Sequence, residues 1–304
     1  MEDDAPRFLT TKEIAGLLRV KERKVYELAS AGDIPCRRVT GKLLFPKDEI
    51  DAWLAGDATA PAVAAVASPP KTIPNIVSGS HDPLLDWAIR ESGCGLATMF
   101  DGSFSGLEQM ASGGSIAAGV HIVEGEGNSW NADHVANTLS HQPIVLIEWA
   151  KRQQGMILSR DLQPSNGTAM RWNDLLGKRI IQRQPASGAS RLFLHILAQN
   201  GFAPDHFELL PQLARTETEA AMAVSNTTAD AAPGLEAMAR QFDLGFMPTA
   251  QERYDLVVDR KSWFEPPLQN LMRFCKTAAF ADKAEELGGY DISAQGTVQW
   301  NSVV

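Results

Sequence analysis

Apolar positions recur at helical spacing near the start of the chain and at strand spacing later, and that change of rhythm divides it. Ile14, Leu17 and Leu18 lie on one helical face, opened by Thr10 and by Glu13 three residues on, a pair able to form a capping box. Arg19-Val20 predicts a tight turn. A second helix is expected over 21–29, with Val25, Tyr26 and Leu28 inward and Gly32 closing it. Two short helices joined this way read as a helix-turn-helix. Residues 36–45 give two β-prone arms around Thr40-Gly41-Lys42, a hairpin or wing. Residues 46–54 give a third helix whose Ile50, Trp53 and Leu54 close a small core. The periodicity then lapses. Residues 57–73 are rich in Ala, Pro and Val, as expected of a linker, with room for a short helix over 62–67.

From residue 74 one device repeats: a short apolar strand, a loop of small polar residues, and a helix. Asn75-Ile76-Val77 runs into Ser78-Gly79-Ser80-His81-Asp82-Pro83 and then a helical Leu84-Leu85 face, with Pro83 suited to a first turn. Residues 96–100 lead through Asp101-Gly102-Ser103 into a helix at Leu107. Arg179-Ile180-Ile181 leads through Arg183-Gln184-Pro185-Ala186-Ser187-Gly188-Ala189-Ser190-Arg191 into a helix carrying Leu192, Ile196 and Leu197. A fourth candidate is 228–234, containing Asp230 and opening a helix over 235–242. Such units imply α/β layers with parallel strands, whose ligands sit at the carboxyl ends of the strands. Each helix start presents backbone N–H groups without intrahelical partners and the positive end of the helix dipole. One start is worth ~0.3–1 kcal/mol to an exposed anion, and several converging could hold a dianion without full basic countercharge.

Charge sharpens the division. The chain carries a net −9, yet residues 7–47 hold ten Lys/Arg against four Asp/Glu, a net +6 that leaves −15 for the remainder. A basic head on an acidic body suggests that only the head meets nucleic acid. The cysteines, Cys36, Cys94 and Cys275, are too scattered for a disulfide framework or a Cys-based zinc site and point to a reducing compartment. His134, His141, His195 and His206 show no zinc spacing, and no phosphate-binding Gly-x-x-x-x-Gly-Lys loop occurs. The acidic first residues lack an apolar signal segment and no run is long enough to span a membrane, so a cytoplasmic location is expected. Trp130, Trp149, Trp172, Trp263 and Trp300 read as packing residues.

The stretches Leu9-Thr10 through Leu18, Val20-Lys21-Glu22-Arg23-Lys24-Val25-Tyr26, Gly32-Asp33-Ile34-Pro35 and Phe45-Pro46 through Leu54 resemble the excisionase-type, MerR-related helix-turn-helix family. That resemblance implies a second helix in the major groove, with Lys21, Arg23 and Lys24 on bases or phosphates, Arg38 and Lys42 of the wing on backbone, and a homodimer on two half-sites. The later stretches Ser78 through Leu85, Gly102-Ser103 through Leu107, Ala118-Gly119-Val120-His121-Ile122, Arg183 through Arg191, Ala229-Asp230-Ala231, Phe246-Met247-Pro248 through Val257, and Gly289-Tyr290-Asp291 resemble the periplasmic-binding-protein-like family of the molybdate/tungstate-binding type. The expected fold is an N-terminal winged helix-turn-helix, residues 1–56, the linker 57–73, and a two-lobed α/β type II binding domain over 74–304. One lobe is expected over 74–159 and 260–304 and the other over 160–259. The family's glycine after Ala-Asp-Ala is displaced here to Gly234.

The function expected is transcription regulation by an oxyanion, molybdate or tungstate, bound by Ser78, Gly79, Ser80, His81, Gly102, Ser103, His121, Arg183, Ser187, Gly188, Ala189, Ser190, Arg191 and Asp230. No cofactor, resident metal ion or membrane partner is implied. The alternatives are a small organic anion or a molybdenum-cofactor precursor as effector, a cofactor-biosynthesis enzyme with a DNA-binding head, or an architectural factor. Enzyme chemistry lacks a nucleophile–base pair at recognisable spacing: Ser187 and Ser190 precede His195, which has no evident third partner.

Overall fold

The computed structural model describes residues 8–31, 33–39, 42–55, 73–125, 129–162, 169–185 and 187–303. Gly32, Thr40-Gly41 of the wing and the linker up to residue 72, including 62–67, lie outside the described residues. Contacts divide the chain into two compact units, 1–71 and 72–304. Among the described residues no helix is long and apolar enough to cross a membrane.

The first unit runs β1 (Phe8–Thr10), α1 (Thr11–Leu18), α2 (Glu22–Ala31), β2 (Arg37–Val39), β3 (Lys42–Pro46) and α3 (Lys47–Ala55). Thr10 caps α1 by accepting the Glu13 N–H, while the Glu13 carboxylate accepts the Thr10 N–H at 2.7 Å. Arg19 ends the helix in a left-handed conformation. β1 was not foreseen: Phe8-Leu9-Thr10 pairs antiparallel with β3, completing a three-stranded sheet. Ile14, Ala15, Val25, Ile34, Phe45 and Ile50 form the core. Because Phe45 fills its centre, the core closes without four residues expected inside, and Leu17, Tyr26, Trp53 and Leu54 are exposed.

The second unit is α/β. Its elements are β4 (Ile76–Gly79), α4 (Pro83–Ser92), β5 (Ala97–Phe100), α5 (Ser103–Ala111), β6 (Ala117–Val120), β7 (Val123–Glu124), β8 (Ser129–Trp130), α6 (Ala132–Leu139), β9 (Ile144–Leu158), β10 (Arg179–Arg183), α7 (Gly188–Gln199), β11 (Glu208–Ala214), α8 (Glu217–Ser225), β12 (Ala231–Leu235), α9 (Glu236–Gln241), β13 (Gly245–Asp259), α10 (Pro266–Phe274), α11 (Ala278–Leu287), β14 (Tyr290–Asp291) and β15 (Val298–Asn301). They build a ten-stranded sheet in the order β11-β10-β12-β9-β13-β6-β4-β5, with β14 and β15 against β9.

Two 15-residue antiparallel strands, β9 and β13, run through both halves of this sheet. At one end β13 pairs with β6 and β9 with β15. At the other, β9 pairs with β12 over Gln154 to Leu158. The change from one half-sheet to the other therefore falls inside both strands, where the register slips between Pro248 and Ala250 and between Tyr254 and Asp255. The sequence pattern had put it at the strand ends, 159/160 and 259/260. Smaller apolar clusters serve each half, one around Leu107, Val120 and Leu146, another around Met156, Phe193 and Leu197, while the largest runs through both, from Val77 and Leu84 to Ile181 and Ala220.

The fourth expected loop is largely a strand. Residues 231–235 are β12, buried throughout, and the helix begins only at Glu236. Pro233 is tolerated because β12 meets β10 only at Ala231, so the absent N–H removes no ladder bond on that side.

Glycine is required where β4 ends. Gly79 has φ 99°, and a Cβ there would collide with the Gly119 backbone, whereas Gly93 at φ 56° faces open space. Gly79→Ala is therefore expected to cost about 3 kcal/mol or more, against about 1 kcal/mol for Gly93→Ala, in urea unfolding of the full chain. Equal costs would contradict the packing described.

Candidate functional site: helix starts meeting between two half-sheets

The ends of β4, β5 and β6 are knit by hydroxyls. The Ser80 and Ser103 hydroxyls hydrogen-bond at 2.9 Å, and Ser103 Oγ accepts the His121 N–H at 3.1 Å. Gly79 O accepts the N–H groups of Asp101 and Gly102. Gly102 offers no side chain to cap α5, so its first-turn N–H groups stay available beside Ser103. Ser78 lies beneath, its hydroxyl bonded to Ser115 Oγ at 2.8 Å.

The other half-sheet brings α7 to this spot. Gly188, its first residue, abuts His121 so closely that a Cβ would overlap the His121 carbonyl oxygen. The Arg191 guanidinium lies 4.2 Å from the centre of the Phe104 ring on α5. The two halves are thus in contact, with the α5 and α7 starts adjoining. Ser187 does not face a ligand freely: its hydroxyl donates to Gln184 O at 2.7 Å and accepts the Ser190 N–H at 3.1 Å. Ala189 and Ser190 are buried in the first turn of α7.

A buried ionic network backs the site. Arg152 of β9, wholly buried, donates to Asp82 at 2.9 Å and to Glu252 of β13. Asp82 also caps α4 through the Leu85 N–H at 2.7 Å and accepts from Trp149 Nε1 at 3.1 Å and the Tyr290 hydroxyl at 2.7 Å. Glu252 bonds His121 Nδ1 at 2.7 Å and accepts from Gln154 Nε2 at 2.9 Å. Burial pushes Glu252 up, but Arg152, His121 and Gln154 outweigh it and hold the carboxyl at about 2. The Tyr254 hydroxyl reaches Ser80 O at 2.6 Å, across the space kept open by Gly119.

Two residues placed in the site by sequence are used elsewhere. Arg183 is buried and turned to α8, donating to Ala214 O and Arg215 O and pairing with Glu217. Asp230 sits at the opposite end of the sheet, paired at 2.7 Å with Arg179 at the start of β10. It is corrected from ligand contact to structural partner. His81 has an unpartnered Nδ1 among the described residues, and burial lowers its pKa, so the ring is neutral at pH 7. Sequence reasoning missed Asp82, Arg152, Glu252, Tyr254 and Glu217. Its available signal was charge inside the strand run Ile144 to Leu158, where Glu148, Lys151 and Arg152 interrupt the apolar positions.

In the first unit Lys21, Arg23, Lys24 and Lys42 are exposed. Arg23 and Lys24 both approach Glu27, at 3.2 and 3.5 Å. The side chain of Arg38 lies outside the described residues. Among the described residues no cluster of His, Cys, Asp or Glu is arranged to hold a metal ion.

Comparison with known proteins was made at three levels. The family model for the PBP superfamily domain matches residues 87–276, and the model for a helix-turn-helix domain matches residues 8–58. Uncharacterized protein YvgK of Bacillus subtilis (strain 168) is 27% identical over 305 residues, 95% of this chain and 96% of that protein. Among solved structures, the Corynebacterium glutamicum OxyR C206 mutant gives a TM-score of 0.47 at 11% identity, covering 90% of each chain. The alkanesulfonate-binding protein SsuA of Xanthomonas axonopodis pv. citri, bound to MOPS, gives 0.43 at 14% identity, covering 70% of this chain and 77% of that one. Likenesses at this level say nothing of the ligand.

Removing Arg152 tests the network. Arg152→Met leaves Asp82 and Glu252 buried without a cation, at an expected cost of about 3–5 kcal/mol. The pH slope should also change sign. In the wild type the Glu252 contribution is complete above pH 4.5 and is lost as pH falls through about 2. In the variant only His121 and Gln154 still oppose burial, the largest influence on Glu252; the folded carboxyl pKa is expected to rise above its unfolded value, and stability to fall as pH rises from 5 to 7. Urea midpoints at pH 5 and 7 read the difference; parallel slopes in the two proteins would refute it.

Proposed function

Because the chain belongs to the PBP superfamily and carries a helix-turn-helix domain ahead of that domain, we propose that it is a DNA-binding transcription regulator that responds to a small anion held between the two half-sheets. The observation that carries this reading is the meeting of the α5 and α7 starts at His121 and Gly188, with Ser80 and Ser103 alongside. The uncapped first turn of α5, together with the N–H groups that the Ser187 cap leaves unbonded in the first turn of α7, forms an anion site that needs no lysine. An effector changes DNA affinity only if it binds two states of the protein differently, and a site divided between half-sheets meets that condition.

Molybdate or tungstate is the first reading of the effector, following the sequence resemblance, and backbone donors suit a tetrahedral oxyanion. A small organic anion or a molybdenum-cofactor precursor is the second. It is favoured by a cavity of about 610 Å³ lined by His81, Trp87 and Arg90 from one half and Thr218, Met238 and Arg240 from the other, though by none of Ser80, Ser103, His121 and Gly188; the volume is within the ~300–1,000 Å³ usual for small-molecule sites. An enzymatic role gains nothing from Ser187, whose hydroxyl is committed to capping α7.

Two copies are proposed to read two half-sites, with α2 in the major groove. Lys21→Ala and Lys24→Ala are each expected to weaken DNA binding several-fold and to lower the salt slope by about 1 per lost phosphate contact. Fluorescence anisotropy across a salt series measures both, and an unchanged slope in both variants would remove α2 from the interface. For the effector, calorimetry of the full chain with molybdate, tungstate, sulfate and phosphate should show at least one that binds and shifts DNA affinity. Binding of none would exclude inorganic oxyanions.

A further inference from the structure

Two helix starts and one ring nitrogen meet at His121. The residue is 2% exposed. Its backbone N–H donates to the Oγ of Ser103, first residue of α5, at 3.1 Å. On the other side a Cβ on Gly188, first residue of α7, would stand 2.9 Å from His121 Cε1 and 3.0 Å from Nδ1. Cε1 is bonded to both ring nitrogens, so the ring edge that carries Nε2 borders the start of α7. Nδ1 makes the ring's one hydrogen bond to a described residue, with Glu252 Oε2 at 2.7 Å. Nε2 is left for whatever enters.

The partners of Glu252 decide which ring nitrogen holds the proton. Its Oε1 accepts from Arg152 Nη2, and from Gln154 Nε2 at 2.9 Å. Burial pushes the carboxyl up, but Arg152, His121 and Gln154 hold it at about 2, so near neutral pH it is ionised and can only accept. The proton of the His121–Glu252 bond therefore sits on Nδ1. A neutral ring in that tautomer presents a bare lone pair at Nε2, which repels an anion's oxygen. A second proton turns Nε2 into a charged donor, and a charge-assisted hydrogen bond is roughly twice as strong as a neutral one. Facing the ring from β13 are Glu252 and Tyr254, the latter stacked with ring centroids 6.0 Å apart, and behind Glu252 lies Arg152 of β9. From α7 comes Arg191, held over Phe104 of α5. An anion arriving between the two helix starts adds negative charge and so favours the charged ring.

We propose that the site takes up one proton together with its anion, carried on His121 Nε2 and donated to that anion. This rests on the reading of the α5 and α7 starts as an anion site and adds its regulation: affinity for the effector rises as pH falls. The free cleft draws the anion by helix dipoles, and the positive charge arrives with the guest.

The test is calorimetry of the full chain with sulfate, molybdate, tungstate and glycerate, all fully ionised between pH 7 and 8.5. Titrations in two amine buffers of different ionisation enthalpy count the protons taken up per anion. For an anion that binds, the count should climb toward one across that range, and Kd should rise roughly threefold to tenfold per pH unit. Glu252→Gln reverses the tautomer. Its amide oxygen must face Arg152 and Gln154, which both donate, and this turns the amide N–H to His121 Nδ1. The ring proton then sits on Nε2, and a neutral ring donates to the anion. The variant should bind the same anion with almost no proton uptake, its Kd changing less than about twofold per pH unit. Binding by the wild type without proton uptake overturns the proposal and leaves the anion site standing, as does undiminished uptake in Glu252→Gln. Binding of none of the four anions overturns both. Should the variant fail to fold, the wild-type count decides alone.

Discussion

Arg152 is the point on which the ligand-binding unit turns. It sits in β9 where that strand passes from one half-sheet to the other, and it joins Asp82 at the start of α4 to Glu252 in β13. Burying a guanidinium and two carboxylates costs several kcal/mol per ion before their attraction is counted. The cost is offset only where the remaining polar atoms also find partners, and here they nearly all do: the two Asp82 oxygens accept from Leu85, Trp149, Arg152 and Tyr290. The geometry left after such satisfaction is unique. It fixes the β4 loop, the middle of both long strands and the β14 segment relative to one another, and through the Glu252–His121 bond it fixes His121 at the floor of the cleft.

Contacts across the cleft are of a different kind. Gly188 against His121, Arg191 over Phe104 and a small apolar cluster of Trp130 with Leu192 and Ile196 join the halves. An exposed cation–π contact contributes roughly 0.5–1 kcal/mol, well below the cost of disrupting the Arg152 network. The strongest interactions thus lie in the strands that both halves share, and weaker ones where a ligand would enter. That ordering lets a ligand worth a few kcal/mol shift a balance between two arrangements without disturbing the core that defines the site.

Much of this was readable from residue order where the determining contacts are local. The capping box at Thr10 and Glu13, the strand–loop–helix units beginning at Ile76 and Arg179, and the cap at Ser187 depend on residues within a few positions of one another. The misassigned residues depend on distant ones. Arg183 looked available for a ligand because its partner, Glu217, is 34 residues away, and Asp230 looked so because Arg179 precedes it by 51. β12 was hidden for another reason: Pro233 and Gly234 signal a loop, and only the lapse of β10 pairing beyond Ala231 makes them acceptable in a strand. Tyr26 and Trp53 were placed inside by helical period, but a core of this size closes once Phe45 enters it.

The electrostatics follow from the same assignments. The buried carboxylates around the cleft are Asp82, Glu217 and Glu252, and the buried guanidiniums are Arg152 and Arg183. Each cation is matched by a carboxylate, so neither is left over to draw an anion in, and the domain's excess of acid opposes one at long range. Attraction for an anion must then come from short-range dipoles, the first-turn N–H groups of α5 and α7, whose effect falls off within a helical turn. Added salt screens long-range repulsion more than it weakens donors in contact with their ligand. Recognition in such a site is governed by where donors and acceptors point rather than by net charge.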